Sequence, residues 1–491
     1  MPSIATGSIF FVFLPPTIQT IMLKKLSLLL GVCICAYQLS AYEITIKIKG
    51  VGKRMFYLGY YYGDKQYLKD STFTDGSGKM VFKGKEELQG GIYLIASSEK
   101  SLLFDFVVTE QQFSLETDTL DYTGHMKVKG SIENTAFFEY SNYTSSIARE
   151  VDPFEKAYKK AKEDKDTAAI RSNRDKIIEI EKRLSEYRLK TLKEKPNLLI
   201  SKVFNMMREV EVPDPPILPN GRKDSLFGYN YYKTHYFDNF DLSDDRMAYT
   251  PVFHSKIEYY ITKVIPQIPD SINKAIDFIL AKAAKSKEIS KWCIFWITNH
   301  YETSQYMGMD AVFVHMVDNY YKDTIKAFWV DETLRFKITD RADNLRNNLL
   351  GKIAPNLIMP DTGFVLKELH AIKAKYTMIL YWDATCGRCK EEIPRLKVLY
   401  DKLANEQHSS GKFFEVYAIS LTSEAVEWKK FVLENKLKWI NVSDLYNNTK
   451  FRKLYDIYST PVIYLLNEKK EIIAKRLSVE QVEEFINRGI E

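Results

Sequence analysis

The sequence predicts a multidomain protein with an N-terminal all-β domain, a central α-helical domain and a C-terminal α/β domain. Three observations carry this. Hydrophobic residues recur with period two up to about residue 130, with helical spacing to about 350, and in strand–helix alternation thereafter. A length of 491 residues suggests about three domains at ~150 residues each. Apolar residues at 45% and charged residues at 27% mark a chain that folds. The net charge of +6 is small for this length and the basic residues form no block, so nucleic acid is not an expected partner.

Residues 1–41 read as a leader. "MLKKLSLLLGVCICAYQLSA", Met22 to Ala41, has a basic start, an apolar run and a small-residue end, the layout of a secretory signal peptide with Met22 as the start. The apolar run Leu26 to Ala36 is short against the ~20 residues of a membrane span, so cleavage is favoured over anchoring. Lipid attachment at Cys33 or Cys35 is disfavoured by the bulk of Val32 and Ile34 before them. No later stretch is apolar enough to span a bilayer, so the mature chain is expected to be exported, without a transmembrane span, to the periplasm or cell envelope.

Residues 42–131 are expected to form a small antiparallel β domain, a sandwich or barrel. "YEITIKIKG" alternates apolar and polar residues, "DGSG" turns between "STFT" and "KMVFKG", and "GIYLIAS" and "FDFVVTEQQFSLETD" continue the pattern. Residues 132–350 are expected to be helical. In "IRSNRDKIIEIEKRLSEYRLKTLKEKP" the residues Ile177, Ile178, Ile180, Leu184 and Tyr187 lie near helical spacing and Pro196 closes the run. "PDPPILPNG" is an extended loop, and "PDSINKAIDFILAKAAK" begins a helix with Asp270 or Ser271 as its cap. Residues 351–491 alternate: strands "YTMILYW" and "FFEVYAISL", helices "EEIPRLKVLYDKLANE" and "EAVEWKKFVLEN", a hairpin from "PVIYLLN" and "EIIAKRL", and a last helix "VEQVEEFINRGI".

Of five cysteines, Cys33 and Cys35 leave with the leader. Cys293 lies in the apolar "KWCIFWITNHY" and is expected to be an inert core thiol. Cys386 and Cys389 form the only C-x-x-C, in "YWDATCGRCKEEIP". The first cysteine follows a strand and precedes a helix, where free N–H groups and the helix dipole favour a thiolate. Such a setting lowers a thiol pKa from ~8.5 into the range ~3.5–7.5. Arg388, between the cysteines, is expected to add positive charge and tune that pKa. Cys386 is thus the expected nucleophile, and Cys389, one turn on and more buried, the resolving thiol. A zinc site would need a second C-x-x-C or a His pair, which the seven scattered histidines do not supply, so no metal is expected. A structural staple across so short a loop would remove little unfolded-state entropy.

"YWDATCGRCKEEIPRL" resembles the thioredoxin superfamily, in its TlpA/ResA-like branch of exported thiol-disulfide oxidoreductases. Trp382 matches the branch's aromatic-Trp strand end, Pro394 its helix-kinking proline, and Thr460-Pro461 in "YSTPVIYLL" its substrate-facing cis-proline. Ala354-Pro355 matches the entry to the first strand. The resemblance implies a thioredoxin-like fold for residues 351–491 and a redox-active Cys386–Cys389 disulfide with no other cofactor. It implies substrate contacts at Thr460, Pro461 and Trp382. It also implies a carboxylate at Glu392 that exchanges protons near the buried sulfur, against the simpler reading of a solvated helix-face charge. Thr385 stands where the branch often has Trp, Gly-Arg where Gly-Pro or Glu-Pro is common, and Leu380 where thioredoxin has its buried acid. Asp383 stands where a peroxiredoxin needs Thr. The modules before residue 351 resemble the usual companions of this domain in exported Gram-negative proteins, and that resemblance brings no agreed activity with it.

Elsewhere the signals are plain. Asp238, Asp241, Asp244 and Asp245 lack a calcium-loop pattern and read as a polar loop. His254, His300 and His315 show no metal spacing, and tyrosines such as those of "YLGYYYGD" suit β strands. The expected function is an envelope thiol-disulfide oxidoreductase acting on cysteine-containing proteins, as a reductant fed by a membrane electron donor. The alternatives are a redox-dependent binding module without turnover and a peroxide-reducing enzyme.

Overall fold

The computed structural model describes residues 40–489 except Ser410 and Ser423. The leader features of residues 1–39, Cys33 and Cys35 among them, lie outside the described residues. The chain folds as two compact units: one up to Glu211 with the short segments Phe237–Asp241 and Arg246–Ser255, the other Val212–Tyr236, Leu242–Asp245 and the chain from Lys256 on. Helices from the 132–350 stretch contribute to both.

The first unit begins with eight strands: β1 Tyr42–Lys49, β2 Met55–Tyr62, β3 Lys65–Phe73, β4 Lys79–Gly84, β5 Gly91–Ser97, β6 Leu102–Val108, β7 Gln112–Asp118 and β8 Lys127–Lys129. They form two four-stranded sheets, β4-β1-β7-β8 and β3-β2-β5-β6. Inward residues of both, Ile44, Ile46, Phe56, Phe82, Tyr93 and Phe106 among them, share one core. The strands flanking "DGSG" therefore belong to different sheets. One pairing departs from the expected antiparallel pattern: β1 runs parallel to β7, with Glu43 opposite Gln112. The chain reaches β7 by way of the other sheet, so no tight turn forces the two strands to oppose. Helix Ile132–Glu163 starts at Ser131, whose side chain accepts from the Asn134 N–H. The Asn134 side chain in turn bonds the N–H and C=O of Val107 on β6 (2.8 and 2.7 Å), tying the helix to the sheet. Helices Thr167–Glu194 and Leu199–Met207 complete this part.

In the second unit, helix Pro269–Ala283 has Ile268 as its N-cap and no side-chain cap. The expected caps Asp270 and Ser271 lie inside its first turn instead. Pro269 suits the first helical position because its φ is preset and it has no N–H to satisfy. Helices Lys287–Glu302, Asp310–Met316 and Glu332–Arg346 follow. The α/β domain then has β9 Ile358–Pro360, β10 Leu366–Glu368, β11 Ala374–Trp382, β12 Gln407–His408, β13 Gly411–Ser420, β14 Ile440–Ser443, β15 Val462–Leu466 and β16 Ile472–Lys475. The main sheet runs β12-β13-β11-β15-β16, with β14 also on β13. β11 is parallel to β13 and antiparallel to β15. Being central and covered on both faces, β11 reads as a continuous apolar run rather than an alternating one. One face packs helices Gly387–Leu403, Ala425–Glu434 and Val479–Asn487; the other packs Phe451, Tyr455 and the entry segment around Leu357.

The chain enters this domain along the edge of β16. Gly351 N–H donates to Ile472 O, Ile472 N–H to Lys352 O and Ala354 N–H to Lys470 O, each at 2.9 Å. Covering the edge removes a row of unpaired backbone groups. Lys475 of β16 is buried and pairs with Asp310 of the helical region. Its ammonium also donates to the Asn348 carbonyl at 2.8 Å.

Candidate active site

The register of β11 against β15 sets Tyr381 opposite Val462. Residues just after β11 and just before β15 therefore meet at one end of the sheet. There the helix Gly387–Leu403 begins with Cys386 as its N-cap, and Cys386 Sγ accepts from the Cys389 N–H at 3.4 Å. The Thr460 carbonyl lies 3.6 Å from the same sulfur, and the Thr460–Pro461 peptide is cis. The structure thus brings together Cys386, Cys389, Thr460 and Pro461.

The two thiols differ in setting. Cys386 is partly exposed and Cys389 fully buried. Partial burial raises the Cys386 pKa. Hydrogen bonding to Cys389, Thr460 and the backbone N–H groups of Cys389 and Arg388 outweighs it, so the net shift is downward. Burial, reinforced by the neighbouring Cys386 sulfur, pushes Cys389 up to about 11. Arg388 is exposed and reaches Cys386 through its backbone N–H, where the sequence had suggested its side-chain charge.

The segment before Cys386 is held by residues the sequence reading did not assign to the site. Asp383 Oδ1 accepts from the Thr385 N–H (2.8 Å) and hydroxyl (2.7 Å), and its carbonyl accepts from the Cys386 N–H (3.2 Å). The Ala384 N–H donates to Thr422 Oγ1 at 3.0 Å. The Asp-x-Thr spacing was a visible signal for such a turn. Thr422 gave none, since its contact depends on how β11 and β13 pair.

Other expected site residues fall nearby. Trp382 is 1% exposed and packs on Phe431 with ring centroids 5.1 Å apart. A side chain buried in the core supports the site from beneath and does not present a substrate surface, which corrects its expected role. Glu392 Oε1 is 3.3 Å from Arg395, itself 3.0 Å from Glu480. Glu392 Oε2 is buried without a hydrogen-bond partner. Pro394 lies inside the helix, where it removes one backbone hydrogen bond.

Cys293 is fully buried, and burial alone raises its pKa strongly, as suits an inert thiol. In the acidic cluster, Asp241 pairs with Lys202 at 2.8 Å and Asp245 accepts from the Ser286 hydroxyl at a helix start. Among the described residues no group of three or more His, Cys, Asp or Glu side chains is placed to hold a metal ion. Among them, too, no helix is long and apolar enough to cross a membrane.

Residues 42–137 match a domain of unknown function (DUF4369), residues 169–348 another (DUF5106), and residues 350–475 the AhpC/TSA family. The chain is 25% identical over 142 residues to thiol-disulfide oxidoreductase ResA of Bacillus cereus, covering 28% of this chain and 78% of that protein. It is 28% identical over 116 residues to sporulation thiol-disulfide oxidoreductase A of Bacillus subtilis, covering 23% and 67%. A crystal structure of a domain of a possible thiol-disulfide isomerase from Cytophaga hutchinsonii is 41% identical, with 29% of this chain and 92% of that chain covered and a TM-score of 0.26. The C-terminal domain is thus a thioredoxin-like domain similar to thiol-disulfide oxidoreductases such as ResA.

Proposed function

We propose that Cys386 and Cys389 exchange a dithiol for a disulfide with cysteines of other proteins in the cell envelope, with this chain as the reductant. The observation that carries the reading is the geometry of the pair: Cys386, partly exposed, caps a helix and accepts from the Cys389 N–H, while Cys389, three residues on, is fully buried; the opposite pKa shifts of the two thiols agree with it.

In the reducing direction the Cys386 thiolate attacks one sulfur of a partner disulfide. A mixed disulfide forms, and the partner's second sulfur leaves as a thiolate that takes up a proton. Cys389 then loses its proton and attacks Cys386 Sγ. The partner departs with two thiols, and Cys386–Cys389 becomes the disulfide. Two electrons have moved to the partner, and a membrane electron donor returns them. Glu392, with one buried carboxylate oxygen unengaged, is the proposed acceptor for the Cys389 proton. Thr460 and Pro461 line the approach beside Cys386 Sγ, where an extended substrate backbone can pair. The apolar leader at Met22–Ala41 supports export.

Cys389→Ser is the test. It should accumulate mixed disulfides through Cys386 on envelope proteins; absence of any adduct sinks the exchange reading. Direction is read from the equilibrium potential of the pair, expected nearer the ~−270 mV of a reductant than the ~−120 mV of a strong oxidant.

A further inference from the structure

The second unit carries a cavity of about 560 Å³ lined by none of the thiol-site residues. This lies within the ~300–1,000 Å³ of small-molecule sites. Its walls are the end of helix Pro269–Ala283, the start of helix Lys287–Glu302 and the chain beyond helix Asp310–Met316. Leu280 and Ile294 supply buried apolar surface. Ile325 and Phe328 supply exposed apolar surface, at 85% and 48% of their area.

Two features show a built site rather than a packing gap. First, the loop bearing Ile325 and Phe328 is pinned from behind. The Arg335 guanidinium donates to the carbonyls of Tyr321, Ala327 (3.2 Å) and Val330 (2.9 Å), so these side chains are held in place without being buried. Second, the chain before that loop makes a single turn of π-helix, Val317–Tyr321, a rare form frequent at functional sites. Tyr320, within the turn, lines the cavity and donates to Asp277 at 2.6 Å. His315 Nε2 is 2.8 Å from the same Asp277 oxygen.

Lys287 and Lys326 bring two ammonium groups to the mouth, the second also donating to the Asn319 carbonyl at 3.0 Å and lying 4.0 Å from Asp323. Lys287 Nζ lies 5.7 Å from the Phe328 ring and Lys326 Nζ 5.0 Å from the Tyr320 ring. Asp277, the carboxylate on the wall, is already engaged by Tyr320 and His315. We infer that this cavity binds an amphipathic organic anion, its hydrocarbon part against Leu280, Ile294, Ile325 and Phe328 and its acid group between Lys287 and Lys326. The inference does not depend on the thiol chemistry.

The test titrates the full chain with decanoate, decanol and decyltrimethylammonium, each below its micelle concentration. Decanoate should bind saturably, one molecule per chain, and at least ~10-fold more tightly than the other two, since placing an anion near two ammonium groups is worth more than 1.4 kcal/mol. Ala281→Trp, on an exposed part of the wall, should weaken decanoate at least ~10-fold by filling the space. Lys287→Glu with Lys326→Glu should weaken decanoate by a similar ~10-fold and leave decanol unchanged. Disulfide reduction by the Cys386 pair should be unaltered in every variant. Absence of saturable binding, equal binding of the three compounds, or indifference to both sets of substitutions overturns the inference. So does association with anionic lipid vesicles without binding of free decanoate.

Discussion

In the reduced protein, alkylation should strike Cys386 far ahead of Cys389. Cys389 is pushed to about 11, so at pH 7 only about one molecule in ten thousand carries its thiolate. Cys386 is held below the ordinary 9.0, which leaves more than about one in a hundred ionised. Ionisation alone gives over ~100-fold selectivity, and full burial of the Cys389 sulfur adds to it. The assay is timed iodoacetamide labelling from pH 6 to 10, read by peptide mass spectrometry. The Cys386 rate should show its inflection below pH 9.0, while the Cys389 rate still climbs. Equal labelling, or a Cys386 inflection at or above 9.0, would refute the reasoning. The same shifts set how the reduced protein's stability depends on pH. Cys386 has a depressed folded pKa, so its contribution is present above the unfolded value and is lost as pH falls through the folded one. Cys389 has a raised folded pKa, so its contribution is complete below the unfolded value and is lost as pH rises toward about 11.

Other substitutions test the framework. Asp310→Ala should cost ~3–5 kcal/mol in urea unfolding, because it leaves the buried Lys475 charge uncompensated. Adding Lys475→Met should recover part of the loss. Asp383→Ala should cost ~1–2 kcal/mol and slow Cys386 labelling, whereas Asp383→Asn, which keeps the acceptor oxygen, should change both less. Tyr400→Phe should cost ~1–2 kcal/mol by removing the 3.0 Å hydrogen bond to the buried Glu415.

Much of this was readable in the chain, for physical reasons. The strand–Cys–helix order fixed where Cys386 sits, because a helix start has the same free N–H groups whatever surrounds it. The proline after Thr460 could be placed beside the sulfur only by resemblance, since that contact depends on the β11–β15 register. Short elements escaped notice: β14 and the turn of helix Phe451–Leu454 are four residues each, too short for a periodic signal. The β1–β7 pairing was hidden because strands some seventy residues apart leave no local trace of their relative direction. Trp382 was assigned a substrate contact by resemblance alone, because aromatic residues serve both cores and binding sites and only burial separates the two. Glu392 divides between its two readings: one oxygen meets Arg395 and the other is enclosed.

The sealed edge of β16 has a mechanical meaning. Residues 351–354 leave no slack between the helix Glu332–Arg346 and the redox domain, and the Lys475–Asp310 pair closes the joint a second time. A target captured by the helices of this unit would meet Cys386 at a set angle and distance, not by sweeping on a tether. Its local concentration at the sulfur would then be governed by shape, all or nothing, where a flexible linker would grade it with length.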